Sequence, residues 1–523
     1  MASVLVSDLA GDSTRFVHPP DPGSEAGGQH GIGTLKRTLK RHGLMGLLAT
    51  SIIVSGAVLG GATFISNLPG AWFFGTPGGP FGSLAATGKV PPTVAVLAVY
   101  GGLILLARVW LGLLRTLKEH PGVPVRRVVG VLAAWAAPLA VAPPLFSRDL
   151  YSYAGLGEMV SHHISPYVYG TGVLGSTPFS ILPGPLWANT PSPYGPTFLW
   201  LDGLATRLSA HQVLADLVLL RVLALAGLAL VVLGLPTLAR AAGRDPARVV
   251  VLGAGSPLAL MTLVGGAHND ALMVGLLVAG LAVARRFAMV PGIVLCALAA
   301  GVKAPALLGV VFLGWTWAGP RAPVRRRVAR LVEAGAIGVA TLALVSWGSG
   351  LGWGWLRTVS AADRVFTGVT PVDALSRLLT DAGHVVDLPL SLGTVREVAG
   401  ALALLIAGAI CLRLLLRSSE VDPIRGLGIS LLALALLSPI LWAWYLTWGA
   451  IVLAAVATRR LERVVVVVAI AGSLIGAAPL KTIAVTALNA DLSSQVVLVV
   501  GLVVAALVLS WQPSGSRFAP RGA

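Results

Sequence analysis

Charged residues are scarce in this sequence. They make up 11% of its 523 residues, against about 25% in ordinary soluble domains, whereas 56% of the residues are hydrophobic and fall in long blocks. Cysteine is scarcer still: Cys296 and Cys411 both lie inside apolar blocks, which excludes a disulfide framework and a cysteine-based metal site. The sequence therefore predicts an all-α polytopic membrane protein.

The net charge of +17 does not indicate a nucleic-acid partner. Basic residues that bind nucleic acid gather on one face, whereas here they recur in short clusters between apolar blocks. Such clusters are typical of the loops that set membrane topology. The sequence also lacks a glycine-rich phosphate loop between a strand and a helix, so we expect no bound nucleotide.

Apolar segments that can each cross a hydrocarbon layer of about 30 Å number about fourteen. Arg285, Arg286 and the basic cluster over 321–330 should face the cytoplasm under the positive-inside rule. The apolar stretch between them must then form an outward hairpin of two short helices, 288–302 and 304–318, with Lys303 at its outer turn.

This topology places both termini inside, with about three times as many basic residues on the inner side as on the outer side. A single span is predicted over 247–266, and a short interfacial or re-entrant helix over 196–209. The predicted divisions are a disordered cytoplasmic tail over 1–42, a transmembrane domain over 43–511 with long outer loops at 147–211 and 350–394, and a cytoplasmic tail over 512–523.

Arg148 and Asp149 follow an apolar segment directly and begin the first outer loop. Ionisable groups at a membrane boundary are costly to desolvate unless they are solvated, partnered or used. If 149–161 is helical, Asp149, Ser152 and Tyr153 share one face. The alternative is that Asp149 only caps an interfacial helix. His162 and His163 are adjacent and point apart in a helix, so they predict no metal pair.

A second polar motif, Gly265-Gly266-Ala267-His268-Asn269-Asp270, separates two hydrophobic blocks. The glycines allow close approach of a ligand, and Asp270 can cap the following helix. A pure cap needs only one of the three polar residues, so His268 and Asn269 are candidates for substrate binding. Lys303 is expected either to meet an anion such as phosphate or to snorkel to lipid headgroups.

Tryptophans accumulate near two other outer boundaries. Trp347, Trp353 and Trp355 lie in or beside the second outer loop, and a second group surrounds the turn at Ser438-Pro439. Tryptophan is common in the interfacial belt of membrane proteins, and its flat face also stacks on sugars. We interpret both groups as belt anchors. The second group consists of Trp442, Trp444, Tyr445 and Trp448.

The polar motifs resemble those of the actinobacterial polyprenol-phosphate-mannose-dependent α-(1,6)-mannosyltransferases. The resemblance rests on Arg148-Asp149-Leu150-Tyr151-Ser152-Tyr153, on Gly157-Glu158-Met159-Val160 with Ser165-Pro166-Tyr167, and on Ala267-His268-Asn269-Asp270-Ala271-Leu272-Met273. It covers roughly 40–510. It implies a GT-C fold and an inverting enzyme of the outer plasma-membrane face, with a polyprenyl-phosphate-mannose donor and the mannan backbone of lipomannan and lipoarabinomannan-type glycolipids as acceptor.

Asp149 matches the position of the family's catalytic carboxylate. Many members carry a second acidic residue beside it, whereas this chain has Arg148 and Leu150. We therefore predict a lone catalytic base and no cofactor or metal ligand, although a divalent metal is not excluded. Arg148 and Lys303 are the predicted donor-phosphate ligands, because both cations bind phosphate. The predicted sugar and acceptor ligands are Tyr151, Tyr153, Glu158, His268, Asn269 and Asp270.

A transporter or lipid flippase is the main alternative. Transporters usually bind substrate near the membrane midplane, on broken helices in repeated halves. Here charged residues within the predicted spans are few: Arg108, Asp216 and Arg221, of which the last two could pair. Because the dense polar clusters lie at one interface, the sequence favours the enzyme. A structural subunit, for which Asp149 would be dispensable, is a third reading.

Overall fold

The chain is described by a computed structural model over residues 25–59, 92–358, 370–385 and 387–477. These residues form helices and turns, with no strand among them, so the all-α prediction is confirmed. The helices of eight or more residues are α1 Glu25–Leu59, α2 Pro92–Glu119, α3 Val125–Val141, α4 Asp149–Ser161, α5 Pro196–Leu208, α6 Val213–Ala241, α7 Pro246–Gly253, α8 Asp270–Arg286, α9 Met289–Ala300, α10 Leu307–Trp317, α11 Val324–Gly348, α12 Pro371–Val385, α13 Leu392–Leu416, α14 Pro423–Leu437, α15 Leu446–Ala455 and α16 Arg459–Gly476.

Five of these helices, α1, α2, α6, α11 and α13, contain stretches long and apolar enough to cross a membrane. A sixth candidate is α7 together with the segment Pro257–Gly265. Helices α9, α10, α14 and α15 are also apolar but shorter. The described residues thus form a multi-pass helical chain, and the count of about fourteen spans stays a prediction.

The segment predicted as a single span over 247–266 is not one straight helix: it is bent by 51° between Gly253 and Pro257, and whether it crosses as one broken span stays a prediction. Ser256 has extended backbone, with φ −64° and ψ 146°, as the residue before a proline prefers. Its hydroxyl accepts a hydrogen bond from the Ala259 N–H at 3.2 Å and so caps the next short helix. A π-helical turn, Leu260–Gly265, then leads into the second polar motif.

Helix α1 begins at Glu25, so residues 25–42 are helical and not part of a disordered tail. Leu39 is buried in the core and Leu35 packs against it, which extends the apolar face of the helix upstream of the predicted boundary. Residues 1–24 and 478–523 lie outside the described residues, as do the predicted last span and the C-terminal tail.

The first outer loop is a folded layer. The helices predicted over 149–161 and 196–209 are confirmed as α4 and α5, which pack against each other, and α4 also contacts α6. A Cβ added at Gly157 would lie 2.3 Å from Thr206 Oγ1 and 2.8 Å from the Asp202 carbonyl oxygen. Glycine at 157 therefore allows the close contact of α4 with α5.

The predicted hairpin is confirmed as α9 and α10, joined through a short 3₁₀ turn at Ala304–Ala306. The N–H groups of Gly195 and Thr197 donate to the carbonyls of Val302 at 3.2 Å and Gly301 at 2.9 Å. These bonds join the start of α5 to the hairpin turn. They bring the first outer loop beside Lys303.

Candidate active site

Asp149 is the first residue of α4, and its side chain is 9% exposed. Its N–H donates to Ser147 Oγ at 3.1 Å. Arg148 holds the N-cap position without a side-chain cap bond, so the alternative of Asp149 as the N-cap is wrong. A carboxylate at the first helical position is instead stabilised by the helix dipole.

His268 faces this carboxylate, with its Nε2 3.7 Å from Asp149 Oδ2. Its Nδ1 donates to the Thr262 carbonyl at 2.8 Å, because a carbonyl can only accept. Burial lowers the pKa of His268 below its ordinary value, against the opposite effect of the Asp149 carboxylate. The ring is therefore neutral near pH 7, with the Nε2 lone pair on the side of Asp149.

No hydrogen-bond partner for His268 Nε2 occurs among the described residues, and the same holds for both amide atoms of Asn269. Both residues are 2% exposed. A buried polar group without a partner costs about 1–3 kcal/mol. Asn269 also donates its backbone N–H to the Tyr153 hydroxyl at 3.5 Å. These free donor and acceptor positions suit the hydroxyl groups of a sugar.

Lys303 and Asp270 form a buried ion pair, with Nζ 2.8 Å from Asp270 Oδ2. Trp448 Nε1 donates to the other carboxylate oxygen at 2.5 Å. Asp270 is the first residue of α8, and its carboxylate binds these two partners instead of capping the helix as expected. Asp270 thus holds the Lys303 ammonium, and its predicted contact with sugar or acceptor stays a prediction.

Aromatic rings enclose this pair. The Lys303 Nζ lies 4.7 Å from the centre of the Tyr445 ring and 5.6 Å from that of Tyr194. Trp444 stacks on His268 at a centroid distance of 3.7 Å, and Trp442 stacks on Trp444 at 4.9 Å. The cation–π contacts of Lys303 with Tyr445 and Tyr194 stabilise its desolvated ammonium.

The belt-anchor interpretation is therefore incomplete for the aromatic group that follows Pro439, because Trp444 and Trp448 contact the candidate site directly. The signal was present in the sequence: four aromatic residues fall within seven positions beside a Ser-Pro turn. Belt tryptophans also occur at such boundaries, and only the tertiary contacts with His268 and Asp270 separate the two cases.

Arg148 is half-buried, and its guanidinium lies against the first outer loop: a Cβ added at Gly184 would be 2.8 Å from Nη1. Tyr151 is 3% exposed. Burial raises the pKa of the Tyr151 hydroxyl, an effect that nearby Arg221 and Arg148 oppose. Arg148, Asp149 and Tyr151 thus share the start of α4, as the sequence predicted.

Arg221 was not predicted as a site residue, although an arginine inside an apolar span was a signal. Its Nη1 donates to the carbonyls of Leu139 at 2.6 Å and Val264 at 3.4 Å. It does not pair with Asp216, whose carboxylate accepts from Thr206 Oγ1 at 3.0 Å. Arg221 fastens the end of α3 to the π-helical turn that precedes His268.

Glu158 lies at the other end of α4, nine residues from Asp149, which is about 13 Å along a helix. Its carboxylate contacts His162 Nε2 at 3.1 Å and His211 Nδ1 at 2.6 Å. The structure thus separates Glu158 from the residues around Asp149. Its predicted contact with sugar or acceptor stays a prediction.

The arrangement combines a buried carboxylate, a neutral imidazole, an amide with free valences and a caged ammonium. A carboxylate beside free hydrogen-bonding groups can accept a proton from a bound hydroxyl. Cations nearby can stabilise a leaving group that gains negative charge. The geometry therefore suits group transfer to a hydroxyl with one carboxylate available for the proton, because the other buried carboxylate, Asp270, is engaged by Lys303 and Trp448.

Comparison with known proteins also indicates a group-transfer enzyme. Residues 43–319 match a family described as alpha-(1->6)-mannopyranosyltransferase, N-terminal domain, and residues 374–509 match one described as MptB C-terminal domain. No solved structure matches this chain.

Curated relatives come from mycobacteria and corynebacteria. A probable alpha-(1->6)-mannopyranosyltransferase of Mycolicibacterium smegmatis is 33% identical over 405 residues, covering 70% of this chain and 72% of the relative. Alpha-(1->6)-mannopyranosyltransferase A of Mycobacterium tuberculosis is 32% identical, over 69% of this chain and 70% of its own length. Alpha-(1->6)-mannopyranosyltransferase B of Corynebacterium glutamicum is 26% identical, over 80% of this chain and 73% of its own length. The chain belongs to the α-(1→6)-mannopyranosyltransferase family.

Proposed function

We propose that this chain transfers mannose from a polyprenyl-phosphate donor to the growing α-(1→6)-mannan backbone of lipomannan and lipoarabinomannan-type glycolipids. Family membership supports mannosyl transfer and disfavours the transporter alternative. Multiple apolar helices support a donor and an acceptor that are both embedded in a bilayer.

Asp149 is the proposed base. The acceptor hydroxyl attacks the anomeric carbon, the bond from that carbon to the phosphate oxygen breaks, and polyprenyl phosphate leaves with the electron pair. The hydroxyl proton passes to Asp149. A phosphate-linked sugar has a good leaving group, so one base and no general acid suffices, and a single displacement inverts the anomeric configuration.

The observation that carries this proposal is the buried Asp149 beside His268 Nε2, which has no hydrogen-bond partner among the described residues, as is also true of the amide atoms of neighbouring Asn269. A sugar hydroxyl between Asp149 and His268 would satisfy the imidazole lone pair. Asn269 could donate to one hydroxyl and accept from another. Tyr153 then aligns Asn269 through the backbone bond.

Arg148 and Lys303 are the proposed phosphate ligands. The Lys303 ammonium keeps two N–H donors beyond its bond to Asp270. Arg148 supplies a planar guanidinium, which suits bidentate contact with phosphate oxygens. Because Asp270 neutralises Lys303, the guanidinium is expected to supply the larger part of the stabilising charge. Tyr151 and the other loop tyrosines would orient sugar hydroxyls.

The proposed architecture is a GT-C domain over 43–511 with about fourteen spans, both termini in the cytoplasm and the site at the outer face of the plasma membrane. The basic clusters support this orientation, because Arg285, Arg286 and the 321–330 cluster lie at the ends of helices opposite the hairpin turn that carries Lys303.

A membrane assay with polyprenyl-phosphate mannose and a short α-(1→6)-mannoside tests the reaction and its base together. Asp149→Asn keeps the shape of the side chain but cannot accept the proton. We expect kcat to fall about 10²- to 10⁴-fold, the usual contribution of a positioned base, with an unchanged melting temperature in detergent.

The matched control is Asp381→Asn, which changes an exposed carboxylate on α12 and should leave transfer unchanged. Normal turnover by Asp149→Asn would refute the assignment of the base. Absence of any new glycosidic bond with the wild-type protein would instead refute the proposed reaction.

A further inference from the structure

A second polar cluster lies at the C-terminal end of α4, about 13 Å along the helix from Asp149. It consists of Glu158 and His162, one helical turn apart, and His211 from the turn between α5 and α6. Two separate chain segments therefore bring three groups of metal-ligand type to one point. We call these three residues the Glu-His-His cluster.

The ligand atoms of the Glu-His-His cluster all lie within 4.8 Å of one another. Glu158 Oε1 is 3.1 Å from His162 Nε2, and Oε2 is 2.6 Å from His211 Nδ1. Ligand atoms around a tetrahedral zinc ion lie about 3.3 Å apart, because the bonds are about 2.0 Å long. To reach that spacing, the 2.6 Å contact would have to open by about 0.7 Å and the widest pair to close by at most about 1.5 Å, which rotations of the exposed imidazoles can supply.

The backbone at His211 supports a specific role for its ring. Ala210 and His211 have φ values of +51° and +61°, in the left-handed region that side chains other than glycine rarely adopt. Two consecutive residues in this region cost about 1–2 kcal/mol each. Such strain persists where the surrounding structure requires it, often at binding sites. Here it directs the His211 imidazole toward Glu158.

The exposure of the three residues differs in a way that suits a metal ligand set. The Glu158 side chain is 13% exposed, whereas those of His162 and His211 are 55% and 43% exposed. The carboxylate is thus held by the protein, and the open side of the cluster faces solvent. Water can occupy a fourth ligand position there.

We propose that the Glu-His-His cluster binds a divalent transition-metal ion, with zinc as the preferred ion. Two imidazoles and one carboxylate form one of the ligand sets that hold zinc with an open position, whereas magnesium and calcium prefer oxygen ligands. The ion would fasten the end of α4 to the turn at 209–212. It lies at the opposite end of α4 from Asp149, so it takes no part in the transfer step.

Zinc titration of the purified full-length chain in detergent tests this proposal without sugar donor. After treatment with a chelator and dialysis, we expect one zinc ion per chain by calorimetry. Cobalt(II) at the same site should give the visible absorption bands of a tetrahedral ion. Zinc should also raise the melting temperature, because it binds the folded chain.

His211→Ala should weaken zinc binding at least about 100-fold, since loss of even an outer-shell partner costs about 10- to 100-fold. The matched control is His163→Ala, which removes a neighbouring exposed imidazole that is not in the cluster. That variant should bind zinc as the wild type does. All melting temperatures are compared in chelator, so that a folding defect is seen separately.

Three outcomes would overturn the proposal: no stoichiometric zinc on the wild-type chain, wild-type affinity in His211→Ala, or equal losses in His211→Ala and His163→Ala. None of them bears on the transfer reaction, because the titration contains neither donor nor acceptor.

Discussion

The two ends of α4 each bring a carboxylate to an imidazole from another part of the chain, yet their surroundings are opposite. At the N-terminal end, Asp149 and His268 are buried and 3.7 Å apart, beyond hydrogen-bond distance. At the C-terminal end, Glu158 contacts both His162 and His211 directly, and the imidazoles are exposed. In the first pair the His268 Nε2 has no hydrogen-bond partner among the described residues, whereas in the second cluster the carboxylate contacts both imidazoles.

This difference separates a reacting site from an anchoring site. A buried group with free valences loses stability unless a ligand completes its hydrogen bonds, so the protein tolerates it where a ligand is expected. Electrostatic interactions are also stronger there, because water is excluded. At the exposed end the contacts of Glu158 with His162 and His211 join two chain segments, and water competes there for every hydrogen bond.

The largest difference in stability between the buried site and the exposed cluster is expected when the carboxylate of Asp270 is removed. Asp270→Asn leaves the Lys303 ammonium buried without its counter-ion and should lower the free energy of unfolding by about 3–5 kcal/mol. At the exposed end, His162→Ala in chelator should cost about 1 kcal/mol or less. Thermal unfolding in detergent measures both.

The double variant Asp270→Asn/Lys303→Met provides the control for this prediction. Replacing the ammonium with an uncharged side chain of similar length should recover a large part of the loss. Similar costs at the two ends would show that Lys303 is better solvated than its 8% exposure indicates.

A smaller effect is expected from Gly157→Ala, which acts on both ends through the helix itself. The new methyl group would lie 2.3 Å from Thr206 Oγ1 and push α4 away from α5, at about 1–3 kcal/mol. Gly130→Ala on α3 is the matched control, because nothing lies within 4 Å of the added methyl group. The free energy of unfolding should fall in the first variant and hold or rise slightly in the second. Equal changes in both would mean that α4 and α5 are not tightly packed.

The smallest effect concerns pH. Burial lowers the pKa of His268 in the folded chain, so the unfolded chain takes up this proton first as the pH falls. The resulting loss of stability begins near pH 6.5, the ordinary pKa of histidine, and grows toward lower pH. The Asp149 and Asp270 carboxylates raise the pKa of His268 and the Lys303 ammonium lowers it, but burial has the largest effect.

Melting temperatures of the wild type and His268→Gln between pH 7.5 and 5.5 measure this contribution. The wild type should lose more stability on acidification than the variant does, whereas His163→Gln should retain the wild-type slope. Parallel curves for wild type and His268→Gln would mean that the pKa of His268 is the same in the folded and the unfolded chain, and a smaller loss in the wild type would mean that it is raised on folding.

Local features of the fold could be predicted from the sequence. Apolar block length and basic clusters predicted the α9–α10 hairpin, and a short apolar stretch predicted α5, because both features depend on neighbouring residues. The break before Pro257 was missed although the proline was visible. The small residues Gly253-Ala254-Gly255-Ser256 do not interrupt the hydrophobic block, so its length predicted one continuous helix despite the turn signal at Ser256-Pro257.

The candidate site was predicted in its residues but not in its pairings. His268, Asn269, Asp270 and Lys303 were all named from costly polar groups at one interface. Their partners are distant in sequence: Trp448 is 178 residues from Asp270, and His211 is 53 residues from Glu158. No local pattern encodes such pairings. The adjacent residues His162 and His163 predicted no metal site, because the third ligand, His211, comes from the distant turn between α5 and α6.

The backbone bonds from Gly195 and Thr197 to the hairpin turn have a consequence for how this enzyme could diversify. They join the backbone of the hairpin turn that carries Lys303 to the backbone at the start of α5. Because these hydrogen bonds use only main-chain atoms, side-chain substitutions leave them in place. Residues at the exposed rim can then vary and alter which acceptor is taken, while the spacing between the proposed donor-side cation and the proposed base is kept. Acceptor preference should thus be more evolvable in this scaffold than the reaction itself.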